Sequence, residues 1–428
     1  MKKRPALPLS VLLLPCILLS GCGSGGSGDF AGGPAADSAM NFSERAESAA
    51  KLDARLARQS NELGLRLFSK LRELGDEAGN LTISPYSISA ALALAYNGSG
   101  GETAEELGQL LGYAPGELEQ LNAGSKALLP LLNDAGPGIQ LELANSVWAD
   151  QGIRLRKEYL KAVKTSYGAE VRTTNLSAEK SVTVTEVNRW VEDQTAGKID
   201  RMLEQPPGGN TVALLVNALY FKGAWQEKFP VERSEPAQFH TGNNTPAEVM
   251  MMKQTGNFAY AETEDWQAVR LPYGEGQMEM LVILPSEGSS ADEVLQGGLP
   301  AGEQFAERFG TVGLPRFTAE YGVDLKEAVQ ALGMKTPFDP ATADFPALTD
   351  VDTPIFIGSI IHKTFIEVNE AGTEAAASTL AAMDGGAAPT ADLPFELTAD
   401  RPFIFIIEDT QTGLWLFLGS IGKPLQAE

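Results

Sequence analysis

From about residue 51 onward, apolar positions recur with recognisable helix or strand periods. Leu56, Leu63, Leu67, Phe68 and Leu71 share one face of a helix, and Gly75 follows as a stop. Ser84 and Pro85 open a second helix over residues 86–96. Proline there gives up only an N–H that a first turn leaves unbonded, and Gly98 closes the segment. Residues 103–111 make a short third helix with acidic Glu102, Glu105 and Glu106 about its first turn. Three other runs, 211–221 (TVALLVNALYF), 278–284 (MEMLVIL) and 402–407 (PFIFII), are long and mostly apolar and bounded by Gly, Pro or Asn. Such runs predict strands buried on both faces. There is no repeat at a fixed period and no linker between Lys51 and Glu428. The pattern predicts one α+β domain, although 428 residues would accommodate two or three.

The amino-terminal residues follow another logic. Met1-Lys2-Lys3-Arg4 is basic, and the apolar run 6–19 after it is interrupted by Pro8 and Pro15. That run is shorter than the ~20 residues of a spanning helix and reads as an export signal. It ends Leu19-Ser20-Gly21-Cys22, which looks like a bacterial lipobox with Cys22 as the lipidated residue. Residues 1–21 are therefore expected to be a signal peptide. Residues 22–50, rich in Gly, Ala and Ser, are expected to be a flexible tether. Lipid on Cys22 would hold the chain to the cell envelope. Gly23 in place of Asp after it points to the outer membrane or surface in a two-membrane host.

Composition narrows the chemistry. The chain carries 33 Lys plus Arg against 56 Asp plus Glu, which excludes a basic nucleic-acid-binding surface and argues against a polyanion cofactor. With two cysteines and two histidines, zinc sites, a disulfide framework and most histidine-based catalysis have no residues to draw on. No G-x-S-x-G, G-x-G-x-x-G, P-loop or H-E-x-x-H occurs. His240 lies beside a turn and His362 in a strand-like run, both ordinary structural settings. No enzyme, metal or cofactor is predicted.

A series of motifs in order carries the functional signal. Residues 80–89 (NLTISPYSIS) resemble the start of the second serpin helix, and 215–225 (LVNALYFKGAW), with Phe229 beyond, resemble that family's most recognisable strand. Similar are 188–191 (NRWV) with Thr195 and 197–199 (GKI), 249–252 (VMMM), 314–317 (LPRF), 368–379 (VNEAGTEAAAST) and 400–403 (DRPF). The resemblance spans about residues 52–424. It implies three β-sheets, eight or nine helices and an exposed reactive loop near 370–400, in a domain placed at 51–428.

It further implies a monomeric inhibitor that traps a target serine protease as a covalent complex. The protease cuts the loop and forms an acyl-enzyme, and the cut loop inserts as a new central strand, the strand addition known for this family. Glu370, Gly372, Thr373, Ala375, Ala377 and Thr379 form the loop hinge. Thr373, Ala375, Ala377 and Thr379 share one strand face, and all are small enough to enter a packed sheet. No proline occurs from Thr373 to Ala388. Thr373 is expected to be exposed in the uncut chain and to enter first. By motif position Ser84, Ser87, Asn217 and His362 resemble the cluster where the large sheet opens. Trp225, Arg316 and Glu370 resemble the group where the loop enters, Arg316 and Glu370 as an ion pair.

The stretch 384–394 departs from the pattern. Counting from Gly372 places the cut bond near Gly386-Ala387, and counting back from Pro402 places it near Ala391, so the window is 383–392. Gly385, Gly386, Ala387 and Ala388 are the candidates. Their small side chains suit elastase-like or subtilisin-like enzymes, and no Lys or Arg lies between Lys363 and Arg401 to suit a trypsin-like one. The alternative is a serpin-fold lipoprotein that binds or chaperones without inhibiting. It would favour bulky, charged or proline residues at Thr373, Ala375 and Ala377, and none is present there.

Overall fold

Every one of the 14 residues of helix Pro85–Gly98 is buried, which is why its sequence is apolar all round. Ser84 caps it by accepting the Ser87 N–H, and Pro85 occupies its first turn. The computed structural model describes residues 40–75, 79–176, 182–206, 213–242, 245–350, 355–373 and 393–425, all within one compact unit, Ala35–Glu428. Helix Ala54–Leu74, capped by Asp53, turns Leu56, Leu63, Leu67, Phe68 and Leu71 inward. Burying side chains of this size stabilises the fold by roughly 1.5–3 kcal/mol each.

Fifteen strands build two hydrogen-bonded sheets among the described residues. In chain order they begin β1 (Leu81–Ile83), β2 (Ile139–Asp150), β3 (Glu170–Thr174), β4 (Ala213–Ala224) and β5 (Glu235–His240). Next are β6 (Pro246–Glu262), β7 (Trp266–Tyr273), β8 (Met278–Pro285), β9 (Ala306–Pro315) and β10 (Phe317–Asp324). The last are β11 (Ile357–Asn369), β12 (Gly372–Thr373), β13 (Phe395–Thr398), β14 (Phe403–Asp409) and β15 (Leu414–Ile421).

The smaller sheet has the order β10-β11-β12-β4-β2-β3, with β11 also pairing β4 directly. The larger runs β1-β15-β14-β8-β7-β6-β9-β13, with β5 on β6. Long β6 links two parts of the larger sheet, pairing β9 from Met251 to Tyr260 but β7 only from Tyr260 to Glu262. Counted separately, those parts and the smaller sheet are the three sheets of the expected fold, and nine α-helices surround them among the described residues. Strand β4 is apolar on both faces because both are covered. Leu214, Val216 and Ala218 meet Val187, Trp190 and Val191 of helix Val182–Gln194, while Leu215, Leu219 and Phe221 enter the main core.

The tether ends earlier than expected. Residues 42–49 form a helix, capped by Asn41 and Glu44 in a reciprocal box. Its Arg45 is 0% exposed and paired with Asp409 at 2.6 Å. The Gly, Ala and Ser content signalled a linker, but a tertiary ion pair 364 residues away in sequence holds this turn of chain against the domain. The signal peptide and Cys22 lie outside the described residues.

Candidate functional site

The gap between β11 and β4 carries the predicted residues in two groups. Along most of their length the two strands pair directly and in parallel, from Ile357↔Ala213 to Phe365↔Tyr220. Beyond that, β11 turns back on itself through Glu370 and Ala371, and β12 lies between the two strands. Val368 faces Thr373 on one side, Gly223 faces Thr373 on the other, and both pairings are antiparallel.

Gly372 makes this possible. Its φ is +142°, and a Cβ there would stand 2.0 Å from the Gly223 carbonyl oxygen. Thr373 is 0% exposed, with its hydroxyl 2.8 Å from that of Tyr273. The Tyr273 ring stacks on Trp225 at 4.2 Å and 10°. Trp225 donates its indole N–H to the Asn369 carbonyl at 2.9 Å and its backbone N–H to the Ala371 carbonyl at 3.1 Å. Burial pushes the Tyr273 hydroxyl far above its ordinary pKa, so it stays neutral.

Arg316 and Glu370 form the expected ion pair, Nε standing 2.8 Å from both carboxylate oxygens. The Ser234 hydroxyl donates to the same carboxylate at 2.5 Å. Burial opposes ionisation of Glu370, but the bonds from Arg316 and Ser234 outweigh it and hold the carboxyl below its usual range.

The expectation that Thr373 is exposed in the uncut chain is corrected here. Its hydroxyl finds a buried partner and its backbone pairs with strands on either side, so it already belongs to the sheet. Hinge residues Ala375, Ala377 and Thr379 and the bond candidates Gly385, Gly386, Ala387 and Ala388 lie outside the described residues.

The second group lies about 20 Å along β4, six residues at roughly 3.3 Å each. His362 stands opposite Asn217, and Asn217 opposite Asn145, one row across three strands. His362 Nε2 accepts the Ser84 backbone N–H at 3.0 Å, so its proton sits on Nδ1 and is donated to Asn217 Oδ1 at 2.6 Å. Asn217 Nδ2 donates onward to Asn145 Oδ1 at 2.6 Å. Burial drives the His362 pKa down to about 3, leaving a neutral imidazole. Ser87 is buried at the same helix start, and its hydroxyl has no partner among the described residues.

Sequence reasoning passed over Asn145, Tyr273 and Ser234. An asparagine inside an apolar strand run was the available signal for Asn145, since Asn is disfavoured in strands unless its amide is bonded. Tyr273 and Ser234 lie far from the motifs and only folding brings them in. His240 is exposed at the end of β5 and joins neither group. His362 Nε2 takes the Ser84 backbone N–H and not a serine hydroxyl. What the arrangement offers is a gap, filled at one end and bridged by neutral hydrogen bonds further in.

A family model described as Serpin (serine protease inhibitor) matches residues 58–424. The chain belongs to the serpin family. It is 35% identical over 372 residues to an uncharacterized serpin-like protein of Thermococcus kodakarensis, covering 85% of each chain. It is 33% identical over 386 residues to the leukocyte elastase inhibitor of Homo sapiens, covering 86% of this chain and 99% of that one. Among solved structures, Serpin48 of the insect Tenebrio molitor superposes with a TM-score of 0.75 at 27% identity, over 90% of this chain and all of the other. The fold is the serpin fold, and this serpin has relatives named as protease inhibitors.

Proposed function

We propose that this serpin inhibits serine proteases by trapping the acyl-enzyme through insertion of its cut loop into the gap between β11 and β4. The observation that carries the reading is β12, already paired antiparallel to both neighbours. A strand continuing from Thr373 in that direction would replace one parallel pairing by two antiparallel ones. Parallel pairing is slightly weaker per residue, and each inserted residue adds ladder bonds worth about 1 kcal/mol net apiece. In the reaction the protease serine attacks a loop carbonyl, the peptide bond breaks, and the new amine leaves with the downstream chain. The acyl ester stays on the upstream segment. If that segment enters the sheet before water attacks the ester, the protease is carried with it and trapped. Passage requires the His362–Asn217 bond to part, and the neutral imidazole keeps a bare charge out of the opening gap.

The bait favours an enzyme with a shallow specificity pocket, elastase-like or subtilisin-like, cutting within 383–392 at Gly385, Gly386, Ala387 or Ala388. A relative named for elastase inhibition supports that choice. Cys22 carries lipid in this reading, holding a monomeric domain at the outer membrane or cell surface, and no enzymatic turnover is involved. Incubation with elastase, subtilisin and trypsin, followed by denaturing gels, tests it. A covalent complex with the first two and none with trypsin is expected. Cleavage without a complex would overturn inhibition and favour a binding or chaperone role on the same fold.

A further inference from the structure

Helix Phe42–Ala49 precedes residues 58–424, so the family match does not account for it. We propose that it braces the end of the gap where the loop enters, with Arg45 as its positioning residue, an inference that rests on the inhibitor reading above. All three guanidinium nitrogens of Arg45 are engaged. NH1 lies 3.2 Å from Asp409 Oδ1 and 2.6 Å from Gln411 Oε1, and NH2 lies 2.6 Å from Asp409 Oδ2. NH2 and Nε also donate to the carbonyls of Leu131 and Asp134, at 3.2 and 3.3 Å. One buried side chain thereby ties the end of helix Leu118–Asn133 to the β14–β15 turn. The backbone adds two bonds, Met40 N–H to Asp134 Oδ2 at 2.9 Å and Gln411 Nε2 to the Phe42 carbonyl at 3.1 Å.

Both tied pieces lead to Thr373 within a few residues. From Asp134 the chain continues to Gly138, whose carbonyl accepts the Ala224 N–H at 2.9 Å, and to Ile139, paired with Gly223. Gly223 is the partner of Thr373. From Asp409 the route crosses the sheet to Met278 and then to Tyr273, whose hydroxyl meets that of Thr373. Parting β4 from β11 would move the start of β2 along with β4. The Arg45 clasp resists this, because it holds the Asp134 carbonyl against the buried Asp409 carboxylate, where lost bonds are costly. Releasing the clasp should therefore speed insertion, of an uncut loop as well as a cut one.

The test compares full-length wild type with Arg45→Met and with Arg45→Met/Asp409→Asn. The double variant leaves no unpaired charge buried, so it keeps the test alive if the single one folds poorly. Each protein is held below its melting temperature, and over time heat resistance and complex formation with elastase are measured. The uncut variants should become heat-resistant and inactive at least tenfold faster than wild type, with an unchanged rate of first cleavage. A merely destabilised variant would melt or aggregate and would gain no heat resistance. If wild type traps elastase and the folded variants keep their activity as long as it does, the brace is wrong and the inhibitor reading stands. If wild type neither traps elastase nor gains heat resistance when cut, the inhibitor reading fails and the brace fails with it.

Discussion

The two ends of one gap solve different problems. At the Thr373 end, β11 and β4 are already separated, and the space is occupied by two residues of the chain itself. The group there mixes an aromatic stack with an ion pair whose arginine is 38% exposed, and it binds the turn by many separate contacts. Further in, the strands touch directly, and one row of neutral side chains, Asn145, Asn217 and His362, closes the seam out of contact with water. At the first end only the Arg316 side chain reaches solvent, so water can replace part of what that group loses when the chain moves. A dry, neutral row opens only by giving up bonds that nothing restores until the new strand arrives. In the proposed insertion, the first end would hold the loop ready and the second would set the resistance to its advance.

The largest effect should come from blocking the advance just past the occupied end. Ala375→Arg places a charge on the face shared with Thr373, where burial of an unpaired charge costs several kcal/mol. Complex yield with elastase should fall more than tenfold while the rate of cleavage stays within about twofold, and full yield would show that the loop does not enter there. Next comes Thr373→Arg. Because Thr373 is fully buried in the uncut chain, this change should expel β12 and destabilise the resting protein by about 1–3 kcal/mol. Thermal melting of the uncut chain reads it, and an unchanged midpoint would mean that β12 contributes nothing.

Acid should then separate the two ends. The folded His362 pKa of about 3 lies below its ordinary 6.5. The unfolded chain therefore binds the proton first, and stability is lost as pH falls from 6.5 toward 3. Glu370 is also depressed, from an ordinary 4.5, so its contribution is complete above that value and disappears on further acidification. In urea melts, His362→Gln should flatten the loss between pH 6.5 and 4.5 relative to wild type, and Arg316→Gln only the loss below 4.5. Identical profiles in all three proteins would refute the contrast. The smallest effect is that of Arg316→Gln at neutral pH, about 1 kcal/mol, since the arginine is 38% exposed, the glutamine can still donate a hydrogen bond and Ser234 still bonds the carboxylate. A loss as large as that from Thr373→Arg would move the weight of this end from its stack to its charges.

Much of the architecture was legible beforehand. The stripe of Leu56, Leu63, Leu67, Phe68 and Leu71, the Ser84-Pro85 helix start and the doubly apolar β4 run all became what their periods predict, because local spacing and caps act within a few residues. Of the site, Ser84, Ser87, Asn217 and His362 were chosen together, and so were Arg316 and Glu370, from motif order. Asn145, Tyr273 and Ser234 were missed, since each completes a bond whose other partner lies 72 to 136 residues away in sequence. Glycine-rich composition likewise misplaced the end of the tether, because nothing near Arg45 in the chain announces Asp409.

By itself the sequence determined the fold class, the family and the small-residue face of the hinge, all properties of neighbouring side chains and their order. Tertiary structure alone decided that Thr373 is already a sheet residue and that Arg45 belongs to the domain. Both depend on buried partners, and burial is a property of the assembled chain. A hydroxyl beside Tyr273 or a guanidinium beside Asp409 is stabilised inside the protein because water has been removed around the pair, and no local pattern in the sequence reports where that happens.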